Sequence, residues 1–178
     1  MKRFTKYHRY GAYHWKIYKN PETYGGYKDH VDKVVEWIKE KNVLDIGCGD
    51  GLITHHLGAI GIDNESQAIK VGKRRGANIK EGDIYNIDYK DNEFEAIFMG
   101  DVLEHLEFPE KALKEVRRVL KKHLYIAVPI EEKIIDPFHY TQWTAKKLKE
   151  TVEKFGFELV EEMMSDNNKK LYSKFKKI

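Results

Sequence analysis

The sequence holds a single cysteine in 178 residues. Cys48 therefore has no partner for an intramolecular disulfide, which is consistent with a reducing compartment. Long apolar runs are missing as well, since none approaches the roughly 18 residues that read as a membrane span. The first residues, where Lys2, Arg3 and Lys6 interrupt Phe4 and Tyr7, contain no signal-peptide core, so the expected location is cytoplasmic. Neither sign of charge dominates: 32 basic side chains stand against 29 acidic ones, for a formal net charge of +3. Interspersed charge makes no broad basic field, and nucleic acid is not implied as a partner. At this length one domain is expected over residues 1–178, long enough to bury a core and too short for a catalytic domain plus a separate substrate domain.

What the chain does have is concentrated in residues 43–51, Val43-Leu44-Asp45-Ile46-Gly47-Cys48-Gly49-Asp50-Gly51. Val43, Leu44 and Ile46 read as a short buried strand, and Gly47, Gly49 and Gly51 let the backbone turn sharply and approach a ligand without Cβ obstruction. A nucleotide is the usual occupant of such a strand end. The dinucleotide pattern G-x-G-x-x-G is not met, because the third glycine comes one position early and Leu52 stands where that pattern needs glycine. Asp45 and Asp50 also stand where a pyrophosphate would lie on helix amides, and carboxylates repel phosphate. They suit a ligand with a nucleoside end and positive charge elsewhere, which describes S-adenosylmethionine with its sulfonium and α-ammonium. V-L-D-I-G-C-G-D-G resembles the first motif of the class I S-adenosylmethionine-dependent methyltransferases. The fold implied is α/β, a doubly wound, Rossmann-like, seven-stranded sheet, mostly parallel, with an antiparallel C-terminal hairpin strand.

Ahead of that motif, residues 1–29 form an aromatic arm that includes Tyr7, Tyr10, Tyr13, Trp15, Tyr18, Tyr24 and Tyr27. With Gly11, Pro21, Gly25 and Gly26 breaking regular structure, the arm is expected to be helix-free and to lie over a pocket or on the domain surface. Trp15, Tyr18 and Tyr24 are its candidate lid or substrate-wall residues. The Rossmann-like core is expected over 30–178, entered through a helix over 29–39 with Val31, Val34, Val35 and Ile38 at helical spacing.

Beyond the glycines a short helix over 52–57 carries His55 and His56, which point about 100° apart and cannot chelate one metal as a helical pair. A second strand over 59–63 ends in Asp63, an acid able to accept two hydrogen bonds from a ribose diol, with a helix cap as the plainer role. Asn64 and Ser66 are the other cap candidates for the helix that follows. After a weak strand over 77–80, the resemblance implies an adenine-binding turn in which Asp83 accepts from the exocyclic amine and Ile84 flanks the ring. The fourth strand, 94–99, runs into Gly100-Asp101-Val102-Leu103-Glu104-His105. The full cofactor-binding set implied by the resemblance is Asp45, Gly47, Cys48, Gly49, Gly51, Asp63, Asn64, Asp83, Ile84, Met99 and Gly100.

Asp101, Glu104 and His105 share one face if helix begins at 101. Three readings follow: His105 as a general base, the trio as ligands for a divalent metal, or Asp101 as a helix cap with local hydrogen bonds for the others. No metal is expected in the first instance. The stretch also resembles that of ubiquinone-type O-methyltransferases and of small-RNA 3′-end methyltransferases, some of which use a metal held by such acids and histidine. Asp101 departs from the latter, which have Glu there.

Residues 110–120 make an amphipathic helix with Pro109 in its first turn and Lys121 and Lys122 at its carboxyl end. An apolar strand over 124–129 leads to a loop over 130–143 that holds Phe138, His139 and Tyr140, a place where a substrate pocket would be lined. His139 resembles a histidine before the T-x-x-x-L helix of many family members and is a second candidate base. Tyr140 is a candidate substrate residue. Thr144 is the expected cap of a helix over 145–155, closed by Gly156. Two strands around a turn at 166–168 close the sheet, and the lysines of the last are expected near an edge, serving solubility.

The function expected is in-line methyl transfer from S-adenosylmethionine to a small-molecule, sugar- or lipid-linked acceptor. Two alternatives stand beside it: a non-catalytic, methyltransferase-like cofactor-binding partner, and an RNA methyltransferase whose aromatic arm stacks bases.

Overall fold

Val43, Leu44, Asp45 and Ile46 are all buried and form strand β1 (Val43–Ile46). Burial on both faces is what a parallel strand between helical layers requires. The computed structural model describes residues 5–20, 22, 27–130, 138–165 and 169–178. The chain divides into two compact units, Met1–Asp83 and Ile84–Ile178.

In the first unit the strand order is β3-β2-β1. β2 (Ile60–Asp63) lies parallel to β1 with Leu44 opposite Ile60, and β3 (Ile79–Glu81) lies parallel to β2 with Gly61 opposite Ile79. Helix α4 (Leu52–Leu57) joins β1 to β2, and α5 (Ser66–Arg74) joins β2 to β3. The cap of α5 is Glu65, whose side chain accepts from the Gln67 amide at 3.1 Å, in place of the expected Asp63, Asn64 or Ser66. Gly51 precedes α4 with φ +70, and a Cβ there would stand 2.6 Å from Ala77 Cβ, so no other residue fits the turn.

Among the described residues three helices come before β1: α1 (Thr5–Tyr10), α2 (Tyr13–Lys19) and α3 (Tyr27–Trp37). The expectation of a helix-free arm is thus corrected. Gly11, at φ +65, turns the chain between two short helices. Tyr7, Ala12, Trp15 and Ile17 are buried, and Trp15 packs with Ala12, Val31, Leu52 and Val71. Burying amphipathic rings while their polar tips find partners is the physical reason that an aromatic segment serves as core. Phe4, Pro21, Tyr24, Gly25 and Gly26 lie outside the described residues, as do 131–137 and the turn at 166–168.

The second unit has the strand order β4-β5-β7-β6. β4 (Phe94–Gly100) and β5 (Leu120–Pro129) are parallel, joined through a 3-10 turn (Leu103–His105) and α6 (Pro109–Val119). β5 begins directly after α6, so Lys121 and Lys122 belong to the strand and do not close the helix; Lys122 pairs with Glu95 of β4 at 2.7 Å. Helix α7 (Ala145–Glu153) is capped by Thr144, which accepts from the Lys147 amide at 3.1 Å. β6 (Phe157–Met164) and β7 (Lys170–Lys177) are antiparallel, and β7 is also antiparallel to β5.

That interior position corrects the view of the β7 lysines as edge residues kept for solubility. Lys170 reaches Asp101, and Lys177 donates to the carbonyls of Arg117 and Leu120 at 2.6 and 2.8 Å. The irregular stretch before β4 is tied to α6 by Arg118, which donates to the carbonyls of Ile87 and Tyr89 and pairs with Glu115. That hydrogen bond holds the Glu115 carboxyl below its ordinary range.

The seven strands among the described residues, mostly parallel and finished by an antiparallel pair, bear out the Rossmann-like expectation. Among the described residues no helix is long and apolar enough to cross a membrane. Gly51→Ala should lower the unfolding free energy by roughly 2 kcal/mol through backbone strain and the clash at Ala77, read by urea denaturation.

Candidate cofactor site

The turn after β1 is shaped from three directions within the first unit. Gly47, Gly49 and Gly51 all adopt positive φ. The amides of Gly47 and Cys48 donate to the Ile62 carbonyl of β2 at 2.8 and 3.2 Å, and the Gly49 amide donates to Asp63 Oδ2 at 2.7 Å. Asp63 Oδ1 accepts from the Glu65 amide at 2.8 Å. A carboxylate offers about four acceptor sites, so both Asp63 oxygens keep capacity toward a diol. Burial raises the Asp63 pKa, opposed by the Glu65, Gly49 and Asn64 amides.

Asp45 is fully buried at the strand end and accepts from Thr54 Oγ1 at 2.6 Å. Desolvation pushes its carboxyl up to about 7, the Thr54 hydrogen bond opposes this, and the negative charge of Asp63 adds to it. Cys48 is half-buried, and burial raises its thiol as well. Asp83 is exposed, and Ile84, the first residue of the second unit, is half-buried.

Asp50, the acid within the turn, is held by partners that no local pattern marks. Its carboxylate is fully buried. Oδ1 accepts from His14 Nδ1 and Oδ2 from the His14 amide, both at 2.9 Å, while the Asp50 carbonyl accepts from Trp15 Nε1 at 2.9 Å. Trp15, expected to wall a substrate, is thus buried with its indole N–H on the glycine turn. Tyr18 is half-buried and donates to Asp32 Oδ1 at 3.3 Å. No local pattern marks His14 or Thr54, because their partners are 36 and 9 residues away.

In the second unit Met99 is buried and Gly100 ends β4. The expected helix from Asp101 is corrected: the backbone forms a short 3-10 turn, and Asp101 precedes it with φ +56. Asp101 pairs with Lys170, the cap position of the turn is Val102, and the group that does form is Glu104, His105 and His139. In that group one ligand atom from each residue lies within 4.8 Å of the others, with Glu104 buried and both histidines half-buried. The amides of Tyr140 and Thr141 donate to the Glu104 carbonyl at 2.8 and 3.3 Å, which hangs the His139 loop on the 3-10 turn. His105 Nδ1 donates to the Phe138 carbonyl at 3.1 Å, leaving the unprotonated position of a neutral ring at Nε2. Tyr140 is exposed.

A methyltransferase-domain family model matches residues 44–128. An uncharacterized protein of Methanocaldococcus jannaschii is 29% identical over 124 residues, 69% of this chain and 60% of that one. The demethylmenaquinone methyltransferase of Thermotoga maritima is 30% identical over 102 residues, 51% of this chain and 44% of that one. Among solved structures, an S-adenosylmethionine-dependent methyltransferase of Thermotoga maritima, a possible histamine N-methyltransferase, superposes with a TM-score of 0.80 at 19% identity, covering 98% of each chain. The family-model match and the curated relatives support similarity to the class I S-adenosylmethionine-dependent methyltransferase family, and the solved structure shows the likeness of fold. The chain spans 60% or less of the length of the curated relatives named above.

A class I methyltransferase takes S-adenosylmethionine as its cofactor, and the family match starts within β1 and runs through the glycine turn and Asp63. The buried acids make the fold sensitive to pH in a defined direction. Asp45 keeps its proton in the folded chain up to about 7, whereas the unfolded chain releases it near 3.8. Stability from this group is therefore full below the unfolded value and falls as pH rises through the window between the two, approaching about 1.4 kcal/mol per pH unit. Asp63 acts with the same sign. Urea titrations between pH 4 and 7 should show this decline, and Asp45→Asn should flatten it in part.

Proposed function

We propose that the chain transfers the methyl group of S-adenosylmethionine to a small-molecule, sugar- or lipid-linked acceptor. The observation that carries the cofactor half of this reading is Asp63, whose carboxylate ends β2 while fixed by the Gly49 amide of the glycine turn. Within the first unit Asp45, Gly47, Cys48, Gly49, Gly51, Asn64 and Asp83 belong to the same proposed site; for Ile84, Met99 and Gly100 of the second unit a cofactor role is what the family resemblance implies. When bound, S-adenosylmethionine would supply a sulfonium methyl open to in-line attack by an acceptor lone pair, the C–S bond breaking as the new bond forms and its electron pair staying on sulfur. Sulfonium is already an activated leaving group, so positioning and desolvation provide most of the acceleration. A hydroxyl acceptor must also lose its proton, and His105 or His139 receives it.

Calorimetry with S-adenosylmethionine and its demethylated product is expected to give stoichiometric binding to the native chain. Asp63→Ala should weaken it at least about tenfold, because charge-assisted hydrogen bonds are lost. No heat with either ligand overturns the cofactor reading.

A second reading concerns the acceptor. Two imidazoles and one carboxylate with ligand atoms within 4.8 Å of one another fit a divalent cation, and the His105 bond to the Phe138 carbonyl is the kind of outer contact that orients a ligating ring. Glu104, His105 and His139 would hold the ion. A bound cation polarises a hydroxyl and lowers its pKa, which favours an oxygen acceptor. Titration with manganese(II) or zinc(II) should show one site in the native chain and at least a tenfold loss of affinity in His139→Ala. Equal binding by that variant, or none by the native chain at millimolar metal, overturns it.

A further inference from the structure

We infer that Tyr7 is a cofactor-binding residue, its hydroxyl donating to an oxygen of the cofactor at Gly49, and that His14 positions it there through Asp50. This rests on the cofactor reading above and adds residues from the N-terminal helices, which the glycine motif does not include.

The argument starts from proton positions. Lys6 Nζ lies 3.3 Å from His14 Nε2, and an ammonium can only donate, so Nε2 accepts and the ring carries its proton on Nδ1. Nδ1 donates that proton to Asp50 Oδ1 at 2.9 Å. Tyr7 Oη lies 3.5 Å from the same nitrogen, which already bears hydrogen and cannot accept the phenol proton. Among the described residues no acceptor remains for the Tyr7 O–H. Yet Tyr7 is 4% exposed, and burial, followed by the charges of Asp50 and Asp63, raises its pKa. The hydroxyl is therefore a buried, protonated donor with no acceptor among the described residues, a state that costs free energy unless a ligand supplies one.

Its direction is set by Gly49. A Cβ on that residue would lie 2.3 Å from Tyr7 Oη, so the hydroxyl rests directly on the Cα of the turn whose amide holds Asp63. The rest of the arm is fixed to the same place. His14 gives both its amide and its ring to the fully buried Asp50 carboxylate, Trp15 donates to the Asp50 carbonyl, and His8 of α1 lies 3.5 Å from Glu65 at the start of α5. Moving the arm away removes every hydrogen bond to the Asp50 carboxylate that the described residues make. Ligand binding at Gly49 and docking of α1 and α2 are accordingly coupled equilibria, each favouring the other.

The acceptor oxygen is a ribose hydroxyl or the amino-acid carboxylate of the cofactor. The test is Tyr7→Phe, which deletes one oxygen and leaves the ring packing in place, measured by calorimetry with the demethylated cofactor and with 5′-methylthioadenosine, which has the ribose but no carboxylate. A loss of five- to tenfold for both ligands assigns the bond to the ribose; a loss for the demethylated cofactor alone assigns it to the carboxylate. Hydrogen exchange adds an independent readout, in which the amides of α1 and α2 should slow when the native chain is saturated with demethylated cofactor. His14→Ala should weaken binding in the same sense, and in the Tyr7→Phe background His14→Ala should cost little further affinity. Equal affinities of Tyr7→Phe and the native chain for both ligands overturn the assignment and leave the cofactor reading intact. Failure of the native chain to bind either ligand overturns both.

Discussion

The turn between β1 and α4 depends on hydrogen bonds that reach it from outside its own sequence. β2 supplies one side, with the Ile62 carbonyl taking the amides of Gly47 and Cys48 and the Asp63 carboxylate taking the amide of Gly49. The N-terminal helices supply another, through His14 and Trp15 on Asp50. Three residues at positive φ need such support, since glycine permits that backbone without preferring it. The result is a ligand-facing loop with little freedom left to lose on binding.

Carboxylates crowd this region, and their environments separate their roles. Asp45 is sealed off with Thr54 and holds its proton to about 7. Asp50 is sealed off too, but meets a nitrogen donor at each oxygen. Asp63 is the partly accessible one, with two backbone amides fixing its orientation. Of the three acids around one turn, Asp63 is thus the most accessible, and Asp50 organises the turn itself.

The sequence made legible what local chemistry determines. Helix α4 occupies 52–57 as its flanking glycines imply, Thr144 caps α7, and Asp63 ends β2. What escaped reading depends on residues far apart along the chain. His14 meets Asp50 across 36 positions, Lys170 meets Asp101 across 69, and the His139 loop hangs on the Glu104 carbonyl. The aromatic arm was misread for a related reason. Glycine and proline marked it as irregular, whereas burial of Tyr7 and Trp15 against the unit outweighs those local preferences. The start of β5 was missed because Lys121 and Lys122 look like a helix end, and their strand pairing is set by neighbours the local pattern does not name.

The place of β7 between β5 and β6 orders events during synthesis. Val128 and its neighbours in β5 leave the ribosome roughly forty to fifty residues before their partners Lys170 to Lys176 in β7, an interval on the order of a few seconds at ordinary elongation rates. Throughout that interval the apolar face of β5 has an open edge, the kind of surface that chaperones bind and that pairs wrongly with other nascent chains. Closure of the second unit is therefore a late, long-range step, and substitutions in residues 170–177 will be felt as lower yield in the cell before they are felt at the site.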